Sequence, residues 1–142
     1  MIIRHATEKD VQGIYKIGTS TTEFEVSRKI KFYKKSELLQ WIKDRKGNIV
    51  LVAVLDGKIA GFASCKIMSH HWAMVDNFYV LKKYRKEGIG SQIEDHLERE
   101  LRKKKVKYVT RLVGAEHKNS RIFLKKRGFK EHDKYIWIDK FL

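Results

Sequence analysis

The residues best suited to chemistry form one short string, Val80-Leu81-Lys82-Lys83-Tyr84-Arg85-Lys86-Glu87-Gly88-Ile89-Gly90-Ser91, whose core is Arg85-x-x-Gly88-x-Gly90. Gly88 and Gly90 let the main chain approach a ligand closely. Where such a string opens a helix, the first N–H groups have no partner within the helix and the dipole favours negative charge. Lys82, Lys83 and Lys86 add positive charge around the turn. The string reads as a phosphate cradle; a tight turn with a basic rim is the plainer alternative. Two other phosphate motifs fail on spacing. No Gly-x-x-x-x-Gly-Lys-Ser/Thr string occurs, and a dinucleotide turn needs a third glycine where Ile93 stands. Nucleotide hydrolysis and hydride transfer lose most of their support.

The elements that must hold this string follow from hydrophobic periodicity. Ile89, Ile93, Leu97 and Leu101 recur every four residues, which predicts an amphipathic helix over 88–104. A strand over 72–80 precedes it, and 107–113 reads as another strand after it. Upstream, a strand over 2–4 stops at Thr7, and Thr7 with Asp10 resembles a capping box for a helix over 8–18. Residues 19–35 show no clean period. Ser36 is the expected cap of a second helix burying Leu38, Leu39, Trp41 and Ile42, with Gly47 ending it. Strands over 49–55 and 58–68 flank the hairpin signal Asp56-Gly57. A short helix over 119–126 ended by Gly128 and a last strand over 135–138 complete the chain. This order predicts an α/β fold: one domain over 1–142, with a mixed, mostly antiparallel sheet, a parallel pair near its centre and flanking helices.

Length and composition bound the rest. The 142 residues suffice for one core and not two. At 42% apolar and 11% aromatic the chain is expected to be globular and soluble, and no apolar run approaches the roughly 20 residues of a bilayer span. The net charge of +15 will attract polyanions, and a solvated lysine-rich surface explains it equally well. A single cysteine, Cys65, excludes an internal disulfide, and the opening MIIRHATEKD lacks an apolar signal region, so a reducing, cytoplasmic setting is expected.

The opening IIRHATEKD, the hairpin LVAVLDGKIAGFA, the string YRKEGIGSQIEDHLE and the ending SRIFLKKRGF together resemble the GNAT superfamily of acetyl-CoA-dependent N-acetyltransferases over nearly the whole chain. The resemblance implies that main-chain N–H groups of Arg85, Lys86, Glu87, Gly88, Ile89, Gly90 and Ser91 hold the CoA pyrophosphate. It also implies that Phe78, Tyr79 and Val80 pair with the pantetheine arm like an added strand, and that Asn119 and Phe123 contribute to the donor site. Acetyl-CoA is then the acetyl donor, with no metal. Three features depart from the pattern. Lys82 and Lys86 stand where relatives often have Pro and Gly. Leu124 takes the place of a tyrosine that protonates the leaving thiolate in many relatives, leaving His117, Tyr79 or a water as substitutes. Asn119 lies two positions nearer the Gly128-Phe129 pair than expected.

Acetyl transfer to an amine needs a neutral nitrogen, a polarised thioester carbonyl and a proton for the departing sulfur. A main-chain N–H of Phe78 or Val80 is a candidate oxyanion donor. Freeing a lysine-type amine at pH 7 costs about 4.6 kcal/mol, against about 1 kcal/mol for an α-amine. Asp76 is the candidate base because period two places it on the face of Phe78 and Val80; a structural or water-holding carboxylate is the alternative. Glu23 and Glu25 could attract a cationic amine or be a solvated pair. The neighbours His70 and His71 make a poor metal site, and Cys65 reads as an inert buried thiol rather than an acyl carrier.

The expected function is acetyl transfer from acetyl-CoA directly to a primary amine, either a peptide or protein α-amine or a small amine. The alternative is a non-enzymatic nucleic-acid-binding module, motivated by the charge and by the basic runs 102–105 and 125–127, although no nucleic-acid motif accompanies them. No membrane partner is expected, and the chain is read as a monomer or homodimer.

Overall fold

The structure, a computed structural model, describes residues 1–24, 32–69 and 71–142. Residues 48–53 are buried one after another, the mark of a strand covered on both faces. That strand, β2 (Asn48–Leu55), lies between β1 (Ile2–His5) and β3 (Lys58–Ser69). The five-stranded sheet runs β1, β2, β3, then β4 (Trp72–Val80) and β5 (Tyr108–Arg111). The first three pairings are antiparallel. β5 runs parallel to β4: the Tyr108 N–H donates to the His71 carbonyl, and two residues on, the Thr110 hydroxyl reaches the Ala73 carbonyl.

Alternate side chains of β2 feed two cores. Ile49, Leu51 and Ala53 meet Ile89, Ile93, Leu97 and Leu101 of α3 (Ile89–Lys103), so the four-residue stripe is the buried face of that helix. Val50 and Val52 face the opposite layer, formed by Val11, Ile14 and Ile17 of α1 (Val11–Thr19) and Leu38 and Ile42 of α2 (Lys35–Lys43). Asp10 closes the turn before α1, accepting the Thr7 N–H at 2.7 Å and a two-pronged pair from Arg4 at 2.7 and 2.9 Å. Ser36 is not the cap of α2. Lys34 holds that position, and its N–H is met by the Glu37 carboxylate at 2.7 Å. Nor does Gly47 end the helix, which stops at Lys43. The Asp56-Gly57 hairpin forms as expected, with both residues left-handed at φ 49° and 74°.

The chain divides into two compact units, Met1–Thr110 and Arg111–Leu142. In the second, α4 (Lys118–Lys126) ends at Gly128, and the Phe129 N–H returns to the Leu124 carbonyl at 3.0 Å. Arg121 forks onto Glu131 at 2.7 and 2.9 Å. The strand expected over 135–138 does not form. Tyr135, Ile136, Trp137 and Ile138 are apolar in succession, a pattern that needs cover on both faces, and all four are largely exposed. The parallel pair therefore lies at an edge of the five-stranded sheet rather than near its centre. Among the described residues no helix is long and apolar enough to cross a membrane, and no cluster of metal ligands occurs.

Candidate active site

β4 is paired to β3 along its whole length, but β5 covers only part of its other edge. Starting level with His71 and four residues long, β5 ends before the last five residues of β4, Asp76 to Val80. The main chain there has an open edge able to take an added strand. The chain then passes through a single 3-10 turn (Lys82–Tyr84) into α3.

At the start of α3, Gly88 is the N-cap with φ 78°, a conformation that favours glycine, and a Cβ built there meets no protein atom within 4 Å. No side chain caps the helix, and its first turn carries no acid. The first intrahelical bond seen is Gln92 N–H to the Gly88 carbonyl, so the N–H groups around Ile89, Gly90 and Ser91 are left for a ligand. Ile89 is buried in the core and fixes the helix start. These residues fit a diphosphate: donors grouped, space in front of them, and no acid in the helix's first turn. Lys86, the first departure from the family pattern, is held at φ 70°, where glycine would be unstrained.

The Arg85 side chain turns away from this cradle. Its Nε donates to the Val80 carbonyl at 2.8 Å, one terminal nitrogen contacts both oxygens of Glu23 at 3.0 and 3.1 Å, and the guanidinium lies 5.0 Å over the Tyr79 ring. Glu23, read as either an attractor of a cationic amine or part of a solvated acidic pair, is instead held by Arg85. Phe24 packs on Tyr79 at 5.3 Å, so the clamp also fixes the end of α1's following segment to β4. Glu25 and His70 lie outside the described residues. His71 takes φ 104° in the β3–β4 turn, and Cys65 is a buried core residue.

Asp76 is not on the face of Phe78 and Val80. The β3–β4 register pairs Ser64 with Asn77 and Cys65 with Val75, which leaves Asp76 as the extra residue of a β-bulge. The bulge breaks period two. Val75, Phe78 and Val80 face the α3 core, whereas Tyr79 faces the α1–α2 core. Asp76 meets the α1–α2 side, where Lys66 Nζ lies 4.0 Å away and in turn sits 4.5 Å over the Trp41 ring. Tyr33 packs edge-on against Trp41 at 4.5 Å and hydrogen-bonds Asn77, whose amide also donates to Ser64 at 2.8 Å. The Asp76 side chain is 15% exposed, and its Oδ2 is buried with no hydrogen-bond partner among the described residues. Burial pushes its pKa up, against the opposing pull of Lys66. Burial, with the Asp76 charge beside it, also raises Tyr33.

Sequence reasoning missed Lys66, Trp41 and Tyr33 because only the bulge brings Asp76 to their side. In the second unit, Asn119 and Phe123 lie on α4. Leu124 is buried, and His117 is the N-cap of α4 with its Nε2 3.1 Å from Glu116.

Comparison with known proteins agrees with this fold. The chain shares its fold with a ribosomal-protein-alanine N-acetyltransferase from Brucella melitensis, at 27% identity and TM-score 0.80, over 94% of this chain and 86% of that one. PaiA N-acetyltransferase from Thermoplasma acidophilum, in complex with coenzyme A, matches at 21% identity and TM-score 0.83 over 94% and 92%. An aminoglycoside acetyltransferase from an uncultured soil metagenomic sample, in complex with sisomicin, matches at 16% identity and TM-score 0.77 over 99% and 95%. Residues 4–129 match the acetyltransferase (GNAT) family, and with nearly nine-tenths of its length so covered the chain belongs to that family.

Proposed function

We propose that this acetyltransferase moves the acetyl group of acetyl-CoA directly onto a primary amine, with the donor on the open edge of β4 and the acceptor on its α1–α2 face. Main-chain N–H groups of residues 85–91 hold the pyrophosphate, and the edge from Phe78 to Val80 pairs with the pantetheine arm. A main-chain N–H at the bulge or beside it binds the thioester oxygen as negative charge develops there. Asp76 takes the proton from the acceptor nitrogen.

The observation that carries this reading is the continuity of the open β4 edge with the uncapped start of α3, beside a buried carboxylate oxygen that has no partner. The burden falls on the amine. Releasing a thiolate of pKa near 8.5 at pH 7 costs only about 2 kcal/mol, against about 4.6 kcal/mol to strip a lysine-type ammonium. A chain with Leu124 in place of a tyrosine can therefore lose its thiolate to water without a dedicated acid, whereas a lysine-type acceptor needs a base and an α-amine, at about 1 kcal/mol, needs little help. Thermal stabilisation by acetyl-CoA, followed by a panel of amines with thiol release as the readout, tests the reading. Acetyl-CoA should raise the melting temperature and at least one class of primary amine should release CoA. A chain indifferent to acetyl-CoA refutes it.

A further inference from the structure

The geometry points to Asp76, Trp41 and Tyr33 as the seat of the acceptor's ammonium group, occupied in the free protein by Lys66 as a tethered stand-in, so that the acceptor is a primary ammonium on an unbranched alkyl chain. This rests on the reading of the chain as an amine acetyltransferase and names the class of amine.

A buried carboxylate oxygen without a donor is unusual, and this one faces a cation that stops short. Lys66 Nζ lies 4.0 Å from Asp76 Oδ2, beyond hydrogen-bond distance, because the ammonium rests on the face of Trp41 at 4.5 Å. Both contacts are of the kind that recognises an ammonium, and neither is fully made. The Lys66 side chain is 40% exposed, so leaving its place strands no buried group of its own. It also has somewhere to go. Lys66 lines an open cleft of about 420 Å³ together with Trp41, Asp44, Asn48 and Met68. An incoming alkyl ammonium can follow that cleft, displace Lys66 into it and place its own N–H on Asp76 Oδ2. Asp44, the carboxylate that lines the cleft, already receives the Gly47 N–H and the Asn48 amide, whereas Asp76, reached past Lys66 and Trp41, offers an oxygen with no partner among the described residues. The shape of the vacancy is that of the group now in it: four methylenes and an ammonium. An α-amine, branched beside its nitrogen, matches it poorly.

Cadaverine, the diamine closest to a lysine side chain, is the probe, and its dissociation constant is measured by calorimetry. Lys66→Met keeps the stem and removes the competing charge, and it should tighten cadaverine about fivefold, the scale of one partly exposed cation–π contact. Lys66→Gln should do the same, which guards against a packing effect of methionine. Trp41→Leu and Asp76→Asn should each weaken cadaverine about tenfold or more. Alaninamide, an α-amine, should gain less than cadaverine from Lys66→Met. Unchanged or weaker cadaverine binding in both Lys66 variants overturns the stand-in role, and a greater gain for alaninamide overturns the chain-type assignment. Stabilisation by acetyl-CoA is followed in every variant. A wild-type protein that ignores acetyl-CoA defeats the enzymatic reading itself, whereas one that responds while its Lys66 variants bind cadaverine no better defeats only this inference.

Discussion

Replacing Gly88 separates the geometry of the phosphate cradle from its charge. Gly88 sits at φ 78° as the N-cap of α3, with no protein atom within 4 Å of a Cβ placed there. Gly88→Ala therefore meets no clash. Its cost is the left-handed conformation, partly offset by a less flexible unfolded chain, which leaves a loss of about 1 kcal/mol. For a chain of this size that is roughly 3 °C in melting temperature. Gly88→Glu carries the same backbone cost and adds a carboxylate to the mouth of the site. At about 5 Å from one unit of phosphate charge, with an effective dielectric near 20, the repulsion is roughly 3 kcal/mol, or about a hundredfold in dissociation constant. The assay is calorimetric titration with acetyl-CoA on all three proteins, alongside their melting temperatures without ligand. Both variants should melt at a similar, slightly lowered temperature, while the glutamate variant binds acetyl-CoA about a hundredfold more weakly than the alanine variant. The gap between them should narrow at 1 M salt, where the Debye length falls to about 3 Å. If the glutamate and alanine variants bind acetyl-CoA alike at low salt, the phosphates do not lie at the start of α3 and the assignment is wrong.

Other consequences follow from the titrating and buried groups. Because burial raises the Asp76 pKa, the folded state holds that proton more tightly, and the resulting stability is present below the unfolded value near 3.9 and lost as pH rises through the folded pKa. Asp76→Asn should then raise the melting temperature at pH 8, leave it unchanged near pH 3, and lower turnover about a hundredfold or more; a less stable variant at pH 8 would contradict this. Glu100 is pulled down to about 2, first by Lys103 at 2.6 Å and also by His5 at 3.0 Å, so its contribution is complete above pH 4.5 and disappears as pH falls toward 2. Glu100→Gln should flatten that part of the stability curve measured by denaturant titration, and an unaltered acid limb would exclude the pair. Leu124 is buried, so Leu124→Tyr, which restores the family's usual residue, should lower the melting temperature through overpacking by about 1–3 kcal/mol, and an unchanged melting point would show spare room there.

What was legible in the sequence was whatever repeats or punctuates. The stripe Ile89, Ile93, Leu97, Leu101 specified α3 and its buried face, the Asp56-Gly57 pair specified a hairpin, and Gly88 specified where the helix would start. Each is a local signal with one structural solution. Capping was misread at Ser36 because Glu37, reaching back to the Lys34 N–H, does the same work from one position further along. Residues 135–138 show the opposite failure. Their composition favours a strand, but a strand apolar on both faces depends on partners that no local pattern declares, and here they stay exposed.

The displacement of Asp76 has a different origin and matters most for chemistry. One inserted residue in β4 leaves every side chain before it on its expected face and reverses every one after it, so Val75 and Phe78, three apart, share the α3 core. Alternation alone would put Asp76 on the α3 face with Phe78 and Val80, away from Lys66, Trp41 and Tyr33. With the bulge, the main chain of Asp76 to Val80 remains on the open edge while the carboxylate turns to Lys66, Trp41 and Tyr33. In the proposed reading, donor and acceptor then approach the same stretch of strand from different directions, which direct transfer between them requires. The irregularity in β3–β4 pairing thus accounts for the orphaned carboxylate oxygen, the shortness of β5 accounts for the unpaired strand edge, and neither is encoded by any one residue type.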